Sequence, residues 1–225
     1  LVRDTSPLIY DALKANKNVL FEGAQGTLLD LDMGTYPFVT SSHPIAGGVC
    51  IGSGVGPTLI DEVVGICKGY TTRVGKGPFP TELDDETGEF IRQKGAEFGT
   101  TTGRPRRTGW FDAVIARYAV RVNGLTSLVI NKIDPLAGLP KIKMCVGYSF
   151  KGEKIVDFPA DLDDLALCTP IYEEFDGFNE DLSGIRDYND FPATLKRYIE
   201  VIERICGCPV SIIGVGPARD QIVHK

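Results

Sequence analysis

Histidine is scarce in this sequence, and the motifs that depend on it are missing. His43 and His224 are the two histidines among 225 residues. The sequence contains no H-E-x-x-H motif, no Cys-His spacing typical of a zinc site and no Ser-His-Asp arrangement. His43 lies in a polar loop, where a packing or hydrogen-bonding role competes with acid–base catalysis. These absences argue against zinc enzymes and triad hydrolases.

Membrane and nucleic-acid signatures are absent as well. No apolar run approaches the roughly 18 residues that a membrane-spanning helix needs, and no signal-peptide layout opens the chain. The six cysteines include no C-x-x-C pair, which favours reduced thiols. The net charge of -6 argues against binding to a phosphate backbone. We therefore expect a cytoplasmic protein without membrane or nucleic-acid partners.

Two common phosphate-binding motifs are missing too. Gly75-Lys76 is followed by Gly77 rather than Ser or Thr, so a Walker A motif is not formed. No G-x-G-x-x-G follows a predicted strand. The sequence does have a glycine-rich stretch over residues 47–56, where backbone N–H groups can approach a ligand closely.

The hydrophobic pattern predicts alternating strands and helices. Apolar runs predict buried strands, and apolar residues at helical spacing predict helices. Strands are predicted over 17–22, 70–74, 127–130 and 209–213, a β-hairpin over 141–158, and helices over 58–69, 88–95, 110–123 and 191–205. Residues 161–190 are predicted to be an acidic, loop-rich stretch. The pattern predicts one α/β domain over residues 1–225, with a mostly parallel sheet, flanking helices and a small β-hairpin.

A tetrapeptide at the end of a predicted buried strand suggests recognition of a purine base. Asn131-Lys132-Ile133-Asp134 follows the apolar run over residues 127–130. A carboxylate such as Asp134 can accept hydrogen bonds from guanine N1–H and from its exocyclic amine, which adenine cannot donate. The stem of Lys132 can pack over the purine face. The alternative is a strand-end turn with solvated Lys and Asp side chains.

A cationic loop suggests an anion-binding site. Three arginines, Arg104, Arg106 and Arg107, occur within four positions and follow Thr100, Thr101 and Thr102 in a chain that is acidic overall. Guanidinium groups bind carboxylates and phosphates in a bidentate manner, and threonine hydroxyls can complete such a site. The alternative is a solvated basic turn.

Several longer motifs together resemble the adenylosuccinate synthetase family. They are VLFEGAQGT (19–27), GTYPFVTSS (34–42), TRVG (72–75), GPFPTE (77–82), TTGRPRR (101–107) and GW (109–110). The resemblance extends from about Asn18 to the end of the sequence. It implies a P-loop-NTPase-like α/β fold and a GTP-dependent ligase. In that reaction GTP phosphorylates the 6-oxygen of IMP, and the amine of aspartate then displaces phosphate to give adenylosuccinate.

The resemblance also implies roles for individual residues. Gln25, Thr40, Val74 and Arg104 would bind IMP, with Gln25 orienting the reacting purine edge. Thr101, Thr102, Arg104 and Arg106 would bind the carboxylates of aspartate. GTP would contact Arg106, Lys132, Asp134, Gly214 and Gly216. The family further implies Mg²⁺ and a homodimer.

Departures from the family pattern qualify these expectations. The family usually has Thr at Asn131, Asn at His43 and often Ser at Gly214. The family's glycine-rich phosphate loop, its catalytic Asp and His and its Mg²⁺ ligands match no segment of this sequence. We therefore expect a chain that corresponds to the C-terminal half of the enzyme and is inactive alone. The alternative function is a non-catalytic guanine-nucleotide-binding module.

Overall fold

A computed structural model describes residues 3–100 and 103–225. The helices in these ranges are α1 (Ser6–Lys14), α2 (Ala46–Ser53), α3 (Glu86–Lys94), α4 (Ala113–Asn123), α5 (Leu162–Ala166) and α6 (Ala193–Cys206). The strands are β1 (Val64–Lys68), β2 (Thr71–Arg73), β3 (Arg107–Gly109), β4 (Phe111–Asp112), β5 (Ser127–Asn131), β6 (Lys141–Phe150), β7 (Glu153–Ile155), β8 (Thr169–Asp176), β9 (Val210–Gly214) and β10 (Ile222–His224). No helix in the described ranges is long and apolar enough to cross a membrane.

The chain divides into two compact units. The first unit comprises residues 1–63 and 121–124 and contains α1, α2 and a 3₁₀ turn over Thr27–Leu29. The predicted buried strand over 17–22 is wrong, because these residues form no strand and Leu20 is 91% exposed. An apolar run predicts a strand only where another strand is available to pair with it.

The second unit, residues 64–120 and 125–225, contains the main sheet. Its strand order is β1-β5-β9-β10, with β1, β5 and β9 parallel and β10 antiparallel to β9. The apolar residues 128–130 in the middle of β5 are buried, as predicted for a central parallel strand. The helix predicted over 58–69 is wrong, since its second half is β1, where Ile66 pairs with Val129.

A second sheet in this unit confirms the predicted hairpin and includes a strand from the stretch after it. Strand β6 pairs with β7 in a hairpin that places Tyr148 opposite Ile155. On its other edge β6 pairs antiparallel with β8. Residues 161–190 contain α5 and the eight-residue strand β8, which the sequence pattern did not predict, while residues 177–187 form neither helix nor strand.

Helix α6 covers the main sheet with one apolar face. Leu195, Tyr198, Ile199 and Ile202 recur at helical spacing and are all buried. The hydroxyl of Tyr198 donates to the carbonyl of Gly69, at 2.9 Å, just beyond β1. The helix ends at Gly207, whose φ of 65° lies in the left-handed region that favours glycine.

The parallel strands fix the position of the candidate site. Strands β1, β5 and β9 end at Lys68, Asn131 and Gly214. Since these strands are parallel, their carboxyl ends meet at one edge of the sheet, where ligands bind in open α/β sheets.

Asp112 is a buried carboxyl group that connects β4 to α4. Its Oδ1 accepts hydrogen bonds from the backbone N–H groups of Val114 and Ile115, and its Oδ2 accepts from the hydroxyl of Tyr148 at 2.7 Å. Burial raises the pKa of Asp112 to about 6, although these three hydrogen bonds oppose the rise. The folded state therefore holds this proton more tightly than the unfolded state does.

We expect Asp112→Asn to change the pH dependence of stability. Because the folded pKa is raised, the stability contributed by Asp112 is greatest in acid and is lost as the pH rises through about 6. Asparagine keeps the acceptor oxygen and removes the titration. The free energy of unfolding of the variant, relative to the unmodified protein, should rise by up to about 2 kcal/mol from pH 4.5 to 7.5. Urea unfolding at both pH values measures this difference.

Asp176→Asn is the control for this experiment. Asp176 is an exposed residue whose pKa is lowered by its hydrogen bond with Lys141. Any stability that Asp176 contributes should therefore be lost as the pH falls, whereas that of Asp112 is lost as the pH rises. Parallel pH profiles for the unmodified protein and Asp112→Asn would contradict the prediction.

Candidate functional site

Lys132 and Asp134 lie directly after β5, at the carboxyl edge of the main sheet. Lys132 has a φ of 51°, a left-handed conformation that is uncommon outside glycine. Asp134 begins a 3₁₀ turn over Asp134–Leu136 and is half-buried. Burial raises the pKa of Asp134, while its own N–H and the charges of Lys132 and Lys94 oppose the rise. The turn thus carries a lysine and an aspartate two positions apart.

The ammonium of Lys132 has two defined acceptors. Its Nζ donates to the carbonyl oxygen of Gly95 at 2.8 Å and to Oε1 of Glu97 at 3.1 Å. A solvated strand-end turn would have no such long-range contacts. The lysine is therefore held in position by the segment that follows α3.

Glu97 is the buried centre of a polar cluster, which we call the Glu97 cluster (Lys68, Tyr70, Glu97, Arg106 and Lys132). Lys68 Nζ lies 2.8 and 2.9 Å from the two carboxylate oxygens, and the Tyr70 hydroxyl lies 2.7 Å from Oε1. Arg106 Nη1 lies 2.7 Å from Oε2. Glu97 itself is fully buried.

The charges of the cluster explain how it tolerates burial. Burial alone would raise the pKa of Glu97, but hydrogen bonds from Lys68, Tyr70 and Arg106 outweigh that effect and lower the pKa to about 2. Burial lowers the pKa of Lys68, and Glu97 opposes this change. A buried carboxylate with this many donors stays ionised.

Arg106 connects the cluster to the predicted anion-binding loop. Its backbone N–H donates to the carbonyl of Glu97 at 2.9 Å, and Gly99 N–H donates to the carbonyl of Arg104 at 2.8 Å. Arg104 is exposed beyond this closed stem. Two predicted site residues, Thr101 and Thr102, lie outside the described residues.

Arg107 has a different role from its neighbours in the cationic loop. Its guanidinium pairs with Glu82 and donates to the carbonyls of Gly75 and Gly77 at 3.1 and 2.9 Å. These contacts fix the loop after Val74, which is 61% exposed at the end of β2. Val74 is therefore accessible to a ligand, whereas the Arg107 side chain holds protein groups.

Gln25 and Thr40 belong to the first unit. Gln25 is exposed and has a φ of 61°, and Thr40 N–H donates to the carbonyl of Leu29 at 2.8 Å. Nearby, His43 Nδ1 lies 3.4 Å from Oδ1 of the buried Asp30. The contact of His43 fits the hydrogen-bonding role rather than the catalytic one.

At Gly214 and Gly216 neighbouring side chains lie very close to the backbone. A Cβ on Gly214 would lie 2.6 Å from Oδ1 of Asn131, and one on Gly216 would lie 2.4 Å from the Gln221 side chain. Asn131 and Gly214, two of the three positions at which we expect the sequence to depart from the family pattern, therefore lie against each other across β5 and β9. A larger residue on one strand is matched by a smaller one on the other.

Metal binding has no support in the described part of the chain. Over residues 3–100 and 103–225, no group of three or more His, Cys, Asp or Glu side chains could hold an ion. The residues present therefore do not fit a metal site of their own.

Glu97, Lys68 and Tyr70 were not predicted from the sequence. Glu97 is an acidic residue a few positions before a cationic loop, and this proximity was the available signal. Lys68 and Tyr70 are far from Glu97 in the chain. The pairing of β1 with β5 brings them to the carboxyl edge of the main sheet, beside Lys132.

We expect Gly214→Ser and Asn131→Thr to be non-additive. Serine alone at position 214 forces the Asn131 side chain to move and should lower the free energy of unfolding by about 1–2 kcal/mol. Threonine at position 131 is smaller, so the double variant should recover most of that loss. A double-mutant cycle in urea measures the coupling, which we expect to be at least about 0.5 kcal/mol. Additive effects would show that the two residues do not share this space.

The chain is similar to curated proteins of one family. The curated adenylosuccinate synthetase of Thermoanaerobacter sp. (strain X514) is 62% identical over 222 residues, which are 99% of this chain and 52% of that protein. The enzyme of Clostridioides difficile (strain 630) is 60% identical over 224 residues, again 52% of its length. The chain thus spans about half the length of the curated relatives it matches.

Solved structures give the same result for the fold. The structure of fully ligated adenylosuccinate synthetase from Plasmodium falciparum matches with a TM-score of 0.97 and 40% identity, covering 100% of this chain and 54% of that one. Cyanophage S-2L succinoaminodeoxyadenylate synthetase, at 20% identity and a TM-score of 0.59, shares the fold. A sequence model described as adenylosuccinate synthetase matches residues 1–223, and the chain therefore belongs to the adenylosuccinate synthetase family.

Proposed function

We propose that this chain carries the IMP-, aspartate- and guanine-binding residues of a GTP-dependent ligase that forms adenylosuccinate, GDP and phosphate. The observation that carries the proposal is the joining of Lys132 and Arg106 by Glu97 at the carboxyl edge of the sheet. A base-recognition turn and an anion-binding loop at one edge are what a ligase of a nucleotide and an amino acid requires. Family membership supports the same reaction.

Asp134 selects guanine in this proposal. Its carboxylate accepts from N1–H and the exocyclic amine, and the ammonium of Lys132 fixes the lysine stem over the purine face. Gly214 and Gly216 contact the nucleotide through their backbone in this proposal, and glycine is favoured at both positions because a Cβ would meet Asn131 or Gln221.

Aspartate and IMP bind to the loops in this proposal. Arg104 and Arg106, with Thr101 and Thr102, hold the aspartate carboxylates, and the amine is thereby directed toward C6 of IMP. Gln25 orients the purine edge of IMP. Thr40 binds its phosphate, and Val74 and Arg104 contact the ribose region.

The phosphoryl step places further demands on the whole enzyme. Transfer from GTP to the 6-oxygen of IMP creates a phosphate leaving group, which the aspartate amine displaces at C6. The family requirement for Mg²⁺ belongs to this step, and no step that we assign to the residues of this chain passes through the metal. A homodimer and a cytoplasmic location complete the proposal.

A product assay tests the function against the alternative of a non-catalytic guanine-nucleotide-binding module. The whole natural gene product is incubated with IMP, L-aspartate and Mg²⁺, with GTP in one set and ATP in the other. We expect adenylosuccinate, followed by its ultraviolet absorbance, with GTP and little with ATP. GTP binding without product would favour the non-catalytic module. The 225-residue chain is assayed in parallel, and we expect no turnover from it.

We expect Asp134→Asn to change the base preference from guanine to xanthine. The amide reverses one hydrogen-bond partner, so the kcat/KM for GTP should fall by about 10–100-fold, while XTP becomes the better substrate. Kinetics with both nucleotides measure the ratio, with Asp176→Asn on β8 as a matched control. Unchanged use of GTP would remove Asp134 from the site.

A further inference from the structure

The charge balance of the Glu97 cluster suggests a role beyond stability. One buried carboxylate faces three cations, those of Lys68, Arg106 and Lys132. A carboxylate paired with Lys68 alone would already be neutral. The additional two cations are the ones that the proposed function assigns to ligands, and Glu97 holds both through different oxygens.

The loop stem shows that Glu97 fixes Arg106 twice. The carbonyl of Glu97 accepts from the Arg106 N–H at 2.9 Å, and its carboxylate accepts from Arg106 Nη1 at 2.7 Å. Arg92 Nε also donates to the Arg106 carbonyl at 2.9 Å. Backbone and side chain of Arg106 therefore cannot move independently of Glu97.

The segment from Gly95 to Glu97 also fixes Lys132 in two ways. Lys132 donates both to Glu97 and to the carbonyl of Gly95, which lies two residues before Glu97. A Cβ on Gly95 would lie 2.2 Å from the Tyr70 hydroxyl, so glycine at this position lets Tyr70 reach Glu97. Ala96, between them, has a φ of 49° and turns the chain sharply after α3.

We infer that Glu97 is a positioning residue that couples the base-recognition turn at Lys132 to the anion-binding loop at Arg106. This inference rests on the proposed function. A nucleotide that contacts Lys132 acts on the carboxylate that also holds Arg106, and an anion that contacts Arg106 acts on the same carboxylate. Each ligand therefore strengthens the binding of the other.

The test measures this coupling directly. GDP is titrated into the whole natural gene product at saturating IMP, with and without saturating L-aspartate, and the ratio of the two Kd values is the coupling factor. We expect a factor of about 5 or more in the unmodified protein. In Glu97→Gln we expect a coupling factor near 1. The Kd for GDP without L-aspartate should change by a smaller factor than the coupling factor does.

Two further variants separate positioning from folding. Glu97→Gln combined with Lys68→Met restores the charge balance of the cluster, so it should fold even where the single variant does not, and it should still lack coupling. Glu174→Gln removes an exposed carboxylate paired with Lys143 on β6 and should leave the coupling factor unchanged. Circular dichroism establishes the folded state of each variant.

The outcomes distinguish the role of Glu97 from the proposed function. Coupling that persists in a folded Glu97 variant overturns the role of Glu97 and leaves the proposed function intact. Absence of GDP binding in the unmodified protein overturns the proposed function, and the inference with it. Equal loss of coupling in Glu174→Gln would show a general destabilisation and also overturn the inference.

Discussion

The buried carboxylate of Glu97 is the interaction on which the candidate site depends. Removing a charge from water costs several kcal/mol, and this cost is offset here by hydrogen bonds from Lys68, Tyr70 and Arg106. Once the carboxylate is buried in this way, its donors cannot leave without exposing an unpaired charge to an apolar interior. The arrangement of these side chains therefore follows from electrostatics, and their position follows from where the parallel strands end.

The parallel sheet explains why distant residues meet. Lys68 ends β1 and Lys132 follows β5, and both reach Glu97 because these two strands pair in register and end together. The segment after α3 then closes over that edge. Fold and candidate site are thus built by the same strand pairing, so changes in β5 should affect the proposed base recognition as well as stability.

The sequence predicted the parts of the molecule that local chemistry determines. The strand that leads to Asn131 and the hairpin of β6 and β7 depend on short motifs. The strand predicted over 17–22 failed because periodicity does not say whether a partner strand exists. The helix predicted over 58–69 failed because β1 pairs with β5, a contact between residues far apart. Glu97 was missed for the same reason, since its importance comes from partners elsewhere in the chain.

The left-handed backbone of Lys132 has a consequence for attempts to stabilise this protein. A lysine at a φ of 51° stores strain of about 1 kcal/mol or more that glycine or asparagine would relieve. A design procedure that scores folding alone would therefore replace it. The same replacement would delete the ammonium that Glu97 and Gly95 hold in place, so thermal stability and the proposed nucleotide recognition compete at this single position.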